Sequence, residues 1–276
     1  MKSDPVEARP LKASTGNFQD GKDYGVTKMT TATSTSAETI TVREVALTTP
    51  EATRVLEKLG IDYCCGGHRP LAEAAAEANV SVDAVLNAIE DAKYNTAART
   101  ATTDWTKASV TALVEHINAT HHVFVKTEAP RIQALAAKVA GKHGPNHPEL
   151  AQVKEVFDNL ADELAQHLMK EERILFPYVV AMDQAQTTGA ELPHSCFGTV
   201  QNPIRMMFLE HDNAGGALKE LRQLTNNYTA PADGCVSYRT LYEALAGFEA
   251  DLHQHIHKEN NILFPRVVEL EAGNNA

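Results

Sequence analysis

Apolar residues that recur at the spacing of an α-helix dominate this chain. Residues 1–40 lack that period and mix Ser, Thr, Lys, Asp and Gly, which predicts a disordered tail. Residues 41–94 hold short helical stretches separated by turn residues, and residues 95–105 are typical of a linker. Residues 106–272 then carry four long helical stretches, at roughly 108–140, 147–182, 201–227 and 236–270.

The connections between the long stretches predict how the helices are arranged. Breaks that contain Gly and Pro separate the first stretch from the second, at 141–145, and the third from the fourth, at 228–234. A longer connection, 183–201, lies in the middle. Such a pattern is typical of an up-and-down four-helix bundle. The sequence therefore predicts an all-α protein, with a small helical domain at 41–94 and the bundle at 106–272.

Start and stop signals predict the helices of the small N-terminal domain. A Thr-Pro pair at 49–50 opens one helix, and Gly60 ends it. The segment 61–68 follows as a glycine-bearing turn that carries two adjacent cysteines. Two further helices, at 71–78 and 82–93, complete the domain.

One stretch of the bundle occurs twice. Residues 167–177 read His-Leu-Met-Lys-Glu-Glu-Arg-Ile-Leu-Phe-Pro, and residues 255–265 read His-Ile-His-Lys-Glu-Asn-Asn-Ile-Leu-Phe-Pro. In each copy a histidine precedes a glutamate by four positions, as His167 and Glu171 and as His255 and Glu259. Residues i and i+4 lie on one face of a helix, so each copy presents an imidazole and a carboxylate together. The proline that closes each copy predicts the end of a helix.

An apolar stripe runs through each copy and predicts that these pairs are buried. Its members are Val153, Phe157, Leu160, Leu164 and Ile174 in the first copy and Leu241, Leu245, Phe248, Leu252 and Ile262 in the second. A carboxylate in such a stripe is costly unless it is paired or coordinates a cation. A single His-x-x-x-Glu would favour a surface pair or a hydrogen-bonded core histidine. Two copies in equivalent stripes favour a metal site.

Further histidines extend the repeat. The third helical stretch places His211 in its apolar stripe, and the first stretch holds His121 and His122 side by side. Helical period puts His121 on the line of Ile117 and His122 on the line of Val125, so it does not separate them. Equivalence between the two halves of the bundle favours His122.

Four imidazoles and two carboxylates are too many ligands for one tetrahedral zinc ion. They fit two adjacent ions, each with two histidines, bridged by the two glutamates, with coordination positions left open. Imidazole combined with carboxylate suits iron, with manganese next. The charge sum leaves room for an oxo or hydroxo bridge. Open positions predict reactivity towards dioxygen, nitric oxide or peroxide.

Composition excludes several partners. The net charge is −11, from 25 Lys and Arg against 36 Asp and Glu, and no basic stripe stands out, so neither nucleic acid nor an anionic membrane is expected. The first forty residues hold no apolar run of the signal-peptide kind, and no apolar run reaches transmembrane length, which predicts a cytoplasmic protein. The four cysteines, Cys64, Cys65, Cys196 and Cys235, follow no disulfide spacing and are expected as thiols.

Together these features resemble the RIC (repair of iron centres) family of hemerythrin-like di-iron proteins with an ScdA-type N-terminal domain. The resemblance rests on Asp-Tyr-Cys-Cys-Gly-Gly at 62–67, the doubled His-x-x-x-Glu with Ile-Leu-Phe-Pro, and Glu-His-Asp at 210–212, and it covers about residues 40–270. The long tail departs from the family pattern. The resemblance implies a hemerythrin-like bundle holding two iron ions, with His122, His167, Glu171, His211, His255 and Glu259 as ligands.

The resemblance also implies a function. Such a protein helps restore iron–sulfur clusters damaged by nitrosative or oxidative stress, by supplying iron to the damaged iron–sulfur proteins. Alternatives are a di-iron nitric oxide reductase or scavenger, a non-enzymatic carrier or sensor of dioxygen or nitric oxide, and a purely structural bundle, so whether the protein is an enzyme stays open. A homodimer that pairs N-terminal domains is compatible with the resemblance.

Four more residues are candidates for the chemistry. Cys64 and Cys65, as thiolates in a glycine turn, would receive or hand over iron, or else simply pack that turn, because adjacent cysteines do not easily close a disulfide. Glu163 lies one turn before His167, and Glu210 adjoins His211. Either glutamate would line a polar path to the metals or hydrogen-bond a ligand histidine, unless it belongs to a solvated face. The remaining cysteines, at 196 and 235, are expected to be inert.

Overall fold

The computed structural model describes residues 40–96 and 103–274. The predicted disordered tail, apart from Ile40, lies outside the described residues, and so does the middle of the predicted linker, 97–102.

Four short helices form the N-terminal unit: α1 (Val42–Ala46), α2 (Pro50–Lys58), α3 (Leu71–Glu77) and α4 (Val82–Thr96). The Thr49 hydroxyl accepts a hydrogen bond from the backbone N–H of Glu51 and so caps α2, whose first residue is Pro50, as predicted. Gly60 has a φ of +72°, in the left-handed region that glycine adopts without a steric penalty. The prediction that it ends α2 is therefore confirmed. These helices bury their own core around Leu56, Tyr63, Leu71 and Val85.

The four long helices are α5 (110–143), α6 (149–188), α7 (201–224) and α8 (236–274). Helix α5 packs against α6 and α8, and α6 also packs against α7, which gives an up-and-down bundle. The middle connection is shorter than predicted, 189–200, because α6 continues to Thr188. The predicted all-α fold class, a four-helix bundle with a small helical N-terminal domain, is confirmed. Among the described helices, none is long and apolar enough to cross a membrane.

Three of these helices contain a π-helical turn within the described residues: Asn118–His122 in α5, Glu171–Leu175 in α6 and Lys258–Leu263 in α8. A π turn holds more residues than an α turn, so it shifts the side chains that follow it around the helix. The prediction that Ile174 continues the buried stripe is therefore wrong: Ile174 is 48% exposed, and Leu175, at 2%, takes its place in the core. The turn in α5 also explains why helical period did not distinguish between its two adjacent histidines.

The two prolines predicted to end helices do not end them. Pro177 and Pro265 lie just after the π turns, and the helices continue to Thr188 and Asn274. Each proline is the second residue of the α segment that begins at Phe176 or Phe264. Because the preceding π turn already interrupts the α-helical hydrogen-bond pattern, the missing proline N–H costs little there.

The bundle has two apolar layers. One contains Phe157, Leu164 and Phe248, and the other contains Ile117, Phe176, Met207 and Phe264. In each of the four helices, the residues that pack in one layer give way to those that pack in the other near the predicted ligand histidines and glutamates. The polar side chains therefore lie between two apolar layers, where an uncompensated charge would be costly.

The N-terminal unit contacts the bundle through the turn at 62–67, called here the thiol turn. Asn261 Nδ2 donates to the backbone oxygen of Tyr63 (2.9 Å), and Gln254 Nε2 lies 2.7 Å from the Tyr63 hydroxyl. Lys219 Nζ pairs with Asp62 Oδ2 at 3.2 Å. Cys64 consequently packs into the core of the bundle.

Candidate metal centre

Six buried side chains from four helices meet between the apolar layers. This His/Glu cluster comprises His122 of α5, His167 and Glu171 of α6, His211 of α7, and His255 and Glu259 of α8. Their nitrogen and oxygen atoms form two groups, each within 4.8 Å, and both groups include Glu171 and Glu259. One group adds His122 and His255, and the other adds His167 and His211.

The histidines pair across the two halves of the sequence repeat. The Nε2 atoms of His122 and His255 are 3.2 Å apart, and so are those of His167 and His211. Each pair thus takes one ring from the hairpin α5–α6 and one from the hairpin α7–α8. This pairing brings together residues that are distant in the sequence.

Each glutamate reaches both histidine pairs. Glu171 Oε2 lies 3.4 Å from His122 Nε2 and 3.3 Å from His167 Nε2. Glu259 Oε1 lies 2.9 Å from His255 Nε2, and its Oε2 lies 3.1 Å from His211 Nε2. The two carboxylates are therefore shared between the two groups.

The carboxylates lack the hydrogen bonds that such burial normally requires. Both are fully buried, and within the described part of the chain neither oxygen of Glu171, nor Oε2 of Glu259, has a partner oriented for a hydrogen bond, although imidazole nitrogens lie 3.1–3.4 Å away. Two adjacent buried carboxylates facing four imidazoles are a donor set that cations compensate. The residues present therefore fit a pair of metal ions.

The buried glutamates favour protonation of two of the rings. Burial disfavours a charged His122, but Glu171 and Glu259 outweigh burial and raise its pKa to about 9. Burial likewise opposes charging of His167, and its pKa rises to about 10 because Glu171 and Glu210 favour the cation. Burial opposes ionisation of Glu259, yet His255 and its neighbours hold the pKa of that carboxyl below the usual range. A metal ion would replace these protons.

Groups outside the cluster orient three of the four rings. His122 Nδ1 lies 2.9 Å from Glu172 Oε1, and His167 Nδ1 lies 2.8 Å from Glu210 Oε2. Because a carboxylate only accepts, each Nδ1–H donates, which leaves Nε2 free to bind metal. Lys126 pairs with Glu172, and Lys170 pairs with Glu210.

The other two rings have different surroundings. His211 Nδ1 lies 2.7 Å from Asn260 Oδ1. His255 Nδ1 has no hydrogen-bond partner among the described residues, and its ring lies parallel to that of His121 at 5.6 Å. His121 is thus outside the cluster, and its own Nδ1 lies 3.0 Å from Asp251. Sequence reasoning gave no role to the outer groups Glu172 and Asn260, although both adjoin a predicted ligand glutamate.

Glu210 and Glu163 both lie beside the cluster but differ in their contacts. Glu210 holds His167 as described above, one of the two roles predicted for it. Glu163 is exposed and, with Glu210, lines a cavity of about 230 Å³ that reaches His167 and His211. Its predicted role in a polar path remains a prediction.

The adjacent cysteines lie next to the metal cluster. Cys65 Sγ donates to the backbone oxygen of His211 at 3.4 Å, and Cys64 Sγ donates to Asp62 Oδ1 at 3.4 Å. The two sulfur atoms are 3.9 Å apart. The neighbouring Cys65 and burial raise the pKa of the Cys64 thiol well above its usual range. Asp62, Cys64 and Cys65 together form a third group of donor atoms spaced closely enough for a metal ion.

The inert role predicted for Cys235 stays a prediction, but the surroundings of this cysteine are polar. It lies at the N-terminus of α8, with its Sγ 3.1 Å from His143 Nε2. The backbone N–H of Tyr238 and the His143 ring lower its pKa to about 7. By contrast, Cys196 is exposed at the surface.

Comparisons with known proteins agree with this architecture. Residues 112–267 match the hemerythrin HHE cation binding domain, and residues 38–93 match the ScdA_N domain, described as a domain of unknown function (DUF542). The chain is 36% identical over 225 residues to the probable iron–sulfur cluster repair protein of Haemophilus influenzae, covering 82% of this chain and 95% of the relative. It is 33% identical over 225 residues to the iron–sulfur cluster repair protein YtfE of Dickeya chrysanthemi, covering 82% of this chain and 95% of that protein. A two-domain match and this degree of identity, which spans most of both proteins, show that the chain belongs to the RIC family of hemerythrin-like proteins with an ScdA-type N-terminal domain.

Proposed function

We propose that this protein is a non-haem di-iron protein that repairs iron–sulfur clusters damaged by nitrosative or oxidative stress, by donating iron to them. The observation that carries the proposal is the buried His/Glu cluster, in which two carboxylates are shared by two pairs of histidines. The names of the relatives, which are iron–sulfur cluster repair proteins, support it. Damaged iron–sulfur proteins are then the partners.

The ligand set follows from the two groups of donor atoms. One iron would be held by His122 and His255 and the other by His167 and His211, with Glu171 and Glu259 shared between them. When bound, the ions supply exchangeable ferrous iron and open coordination positions. The chain's own contribution is to fix the rings through their outer nitrogens and to exclude water with the two apolar layers.

The remaining candidate residues would serve transfer. Cys64 and Cys65 lie against the helix that carries His211 and form, with Asp62, a group able to take a metal ion. Glu163 and Glu210 line the cavity that reaches His167 and His211, which supports a polar path for the ion. Thiols that pass iron require a reducing compartment, so the cytoplasm remains the expected location.

The test is reactivation of a [4Fe–4S] enzyme that nitric oxide has damaged. We expect the iron-loaded native protein to restore activity and the double variant His167→Ala, Glu171→Ala to restore none, because that variant loses ligands to both ions. The double variant His194→Ala, Glu191→Ala changes the same residue types at exposed positions and should behave as the native protein. Equal reactivation by the native protein and the ligand variant would contradict the proposal.

The alternatives receive less support. A nitric oxide reductase or scavenger would produce nitrous oxide under turnover, whereas iron donation requires no such product. A carrier or sensor would bind dioxygen or nitric oxide reversibly and would leave the thiol turn without a role. The relatives are named for repair and not for either activity.

A further inference from the structure

The histidines of the His/Glu cluster are oriented by different parts of the molecule. His122 and His167 are oriented by Glu172 and Glu210, which belong to the bundle itself. His211 is oriented by Asn260, whose other end bonds to the N-terminal unit. Among the described residues, His211 is thus the one ligand histidine with an outer partner that is fixed by the other domain.

Asn260 accepts one hydrogen bond and donates another. Its Oδ1 accepts from His211 Nδ1 at 2.7 Å, and its Nδ2 donates to the backbone oxygen of Cys64 at 3.2 Å. The ring N–H needs an acceptor and the carbonyl needs a donor, so both contacts require the same orientation of the amide. Asn260 is 6% exposed and lies in the π turn of α8, directly after Glu259. Its position therefore depends on where the thiol turn lies.

The thiol turn has little room to change without moving Asn260. Cys64 is buried in the core of the bundle, and the sulfur of Cys65 contacts the backbone oxygen of His211. A Cβ added at Gly215 would come within 3.4 Å of that sulfur. A metal ion or covalent group on the thiols would consequently displace the turn, and with it the carbonyl that holds the Asn260 amide.

We propose that Asn260 is a positioning residue that couples the state of the Cys64–Cys65 thiols to the retention of the ion held by His167 and His211. With free thiols, Asn260 holds the His211 ring in its ligating orientation. When the thiols carry a metal ion or a covalent group, Asn260 no longer fixes the His211 ring, and the ion at His167 and His211 dissociates more readily. The ion at His122 and His255 is affected less, because the outer contact of His122 with Glu172 does not include the thiol turn and only the shared glutamates link the two groups. The inference rests on the proposed function, since it assumes that the cluster holds two irons.

The coupling must work in both directions, because it is a linkage between two sites. An ion at His167 and His211 holds the ring, Asn260 and the turn together, so it should lower the affinity of the thiol turn for a metal ion at Asp62, Cys64 and Cys65. Loss of an outer partner of a ligating histidine lowers metal affinity by about 10- to 100-fold. That range sets the size of the expected effect.

The experiment measures iron release from the full chain with the thiols free or alkylated. Cys196 and Cys235 are first replaced by Ser, so that iodoacetamide reacts only at the thiol turn. The protein is loaded with ferrous iron without oxygen, and release to a ferrous chelator is followed by absorbance. We expect two phases of equal amplitude, of which alkylation accelerates one by about ten-fold or more and the other far less.

Substitutions at two neighbouring asparagines separate the coupling from simple domain contact. Asn260→Asp keeps an acceptor for His211 but loses the donor to the Cys64 carbonyl, so alkylation should change its release rate by less than about two-fold. Asn260→Leu loses both contacts and should release one ion fast with either thiol state. Asn261→Asp is the matched control, because Asn261 Nδ2 bonds to Tyr63 and not to a ligand histidine. It should retain the native response to alkylation.

The outcomes distinguish this inference from the proposed function. Native protein that takes up no iron contradicts the proposed function and overturns the inference with it. If native protein holds two ions but alkylation leaves both release rates unchanged, only the inference is overturned. The inference is likewise overturned if alkylation accelerates iron release from Asn260→Asp as much as from Asn261→Asp. Should Asn260→Leu fail to fold, the near-isosteric Asn260→Asp still decides the question.

Discussion

In three of the four histidines of the His/Glu cluster, a hydrogen bond at the outer ring nitrogen, Nδ1, fixes the orientation of the ring. A neutral imidazole has one N–H, and an acceptor placed at Nδ1 fixes the tautomer that offers Nε2 to a metal. Glu172 and Glu210 provide that acceptor with a full negative charge, and Lys126 and Lys170 partly neutralise it. At this scale we expect a single side chain outside the ligand set to have a measurable effect on the affinity for metal.

Replacing Glu172 by alanine should weaken one of the two iron sites. The change removes the acceptor of His122 Nδ1 and leaves the Lys126 ammonium nearby, so we expect a loss of about 10- to 100-fold in affinity for one ion. Competition with a chelator measures it. Glu128→Ala, which removes only a surface pair with Arg131, should keep both affinities. Equal affinities in the two variants would contradict this role for Glu172.

Cys235 should react as a thiolate at neutral pH. Its pKa is lowered to about 7 by the Tyr238 backbone N–H and by His143, so the thiolate fraction, and with it the alkylation rate, should be half-maximal near pH 7. Mass spectrometry of peptides alkylated across a pH series gives this midpoint. His143→Ala should raise the midpoint at Cys235 and leave the exposed Cys196 unchanged. An unaltered midpoint would show that the ring does not act on the sulfur.

At the scale of secondary-structure elements, the π turns determine how three of the helices present their ligands. Each of the three lies where its helix contributes a cluster ligand, His122, Glu171 or Glu259. The extra residue lets one helix present a ligand to the polar layer and still return its next apolar side chains to the core. A regular α-helix through Glu171 would instead turn Leu175 and Phe176 away from the positions in which they are buried.

Deleting Arg173 should test this function of the π turn in α6. Arg173 is exposed, and the turn shortened by one residue would become α-helical with Phe176 and Met182 still facing the core. Deletion of the exposed Glu155, in a regular α segment of the same helix, would instead rotate Val153 out of the core. Each buried apolar side chain contributes roughly 1.5–3 kcal/mol, so only the second deletion should lower the free energy of unfolding by several kcal/mol. Chemical denaturation measures it, and a similar loss from both deletions would contradict the explanation.

At the scale of the whole molecule, the cluster divides the core into two apolar layers and concentrates charge between them. The N-terminal unit adds a third apolar core and places its thiol turn against the polar layer. The chain therefore stabilises the bundle with apolar contacts above and below a site that is costly by itself. Bound metal ions should offset part of that cost.

Removing iron should lower the stability of the whole bundle. An ion that binds only the folded state adds about 2.7 kcal/mol when its free concentration is 100 times its Kd. Thermal unfolding of the iron-loaded protein, with and without a chelator, should show a lower midpoint after chelation. The variant His167→Ala, Glu171→Ala should show no such shift. A chelator effect of equal size in that variant would mean that the stabilising iron is bound elsewhere.

The sequence by itself determined the features that depend on neighbouring residues. Helical period, caps and glycines located the helices, and the i, i+4 spacing put His167 with Glu171 and His255 with Glu259 on one face, because these relations are set within a few turns of one helix. Only the tertiary structure decided that His122 pairs with His255 and His167 with His211, and that Asn260 links His211 to Cys64. Those contacts join residues far apart in the chain. They depend on how the four helices pack and on π turns that shift the side chains around each axis, and neither property is visible in a regular apolar period.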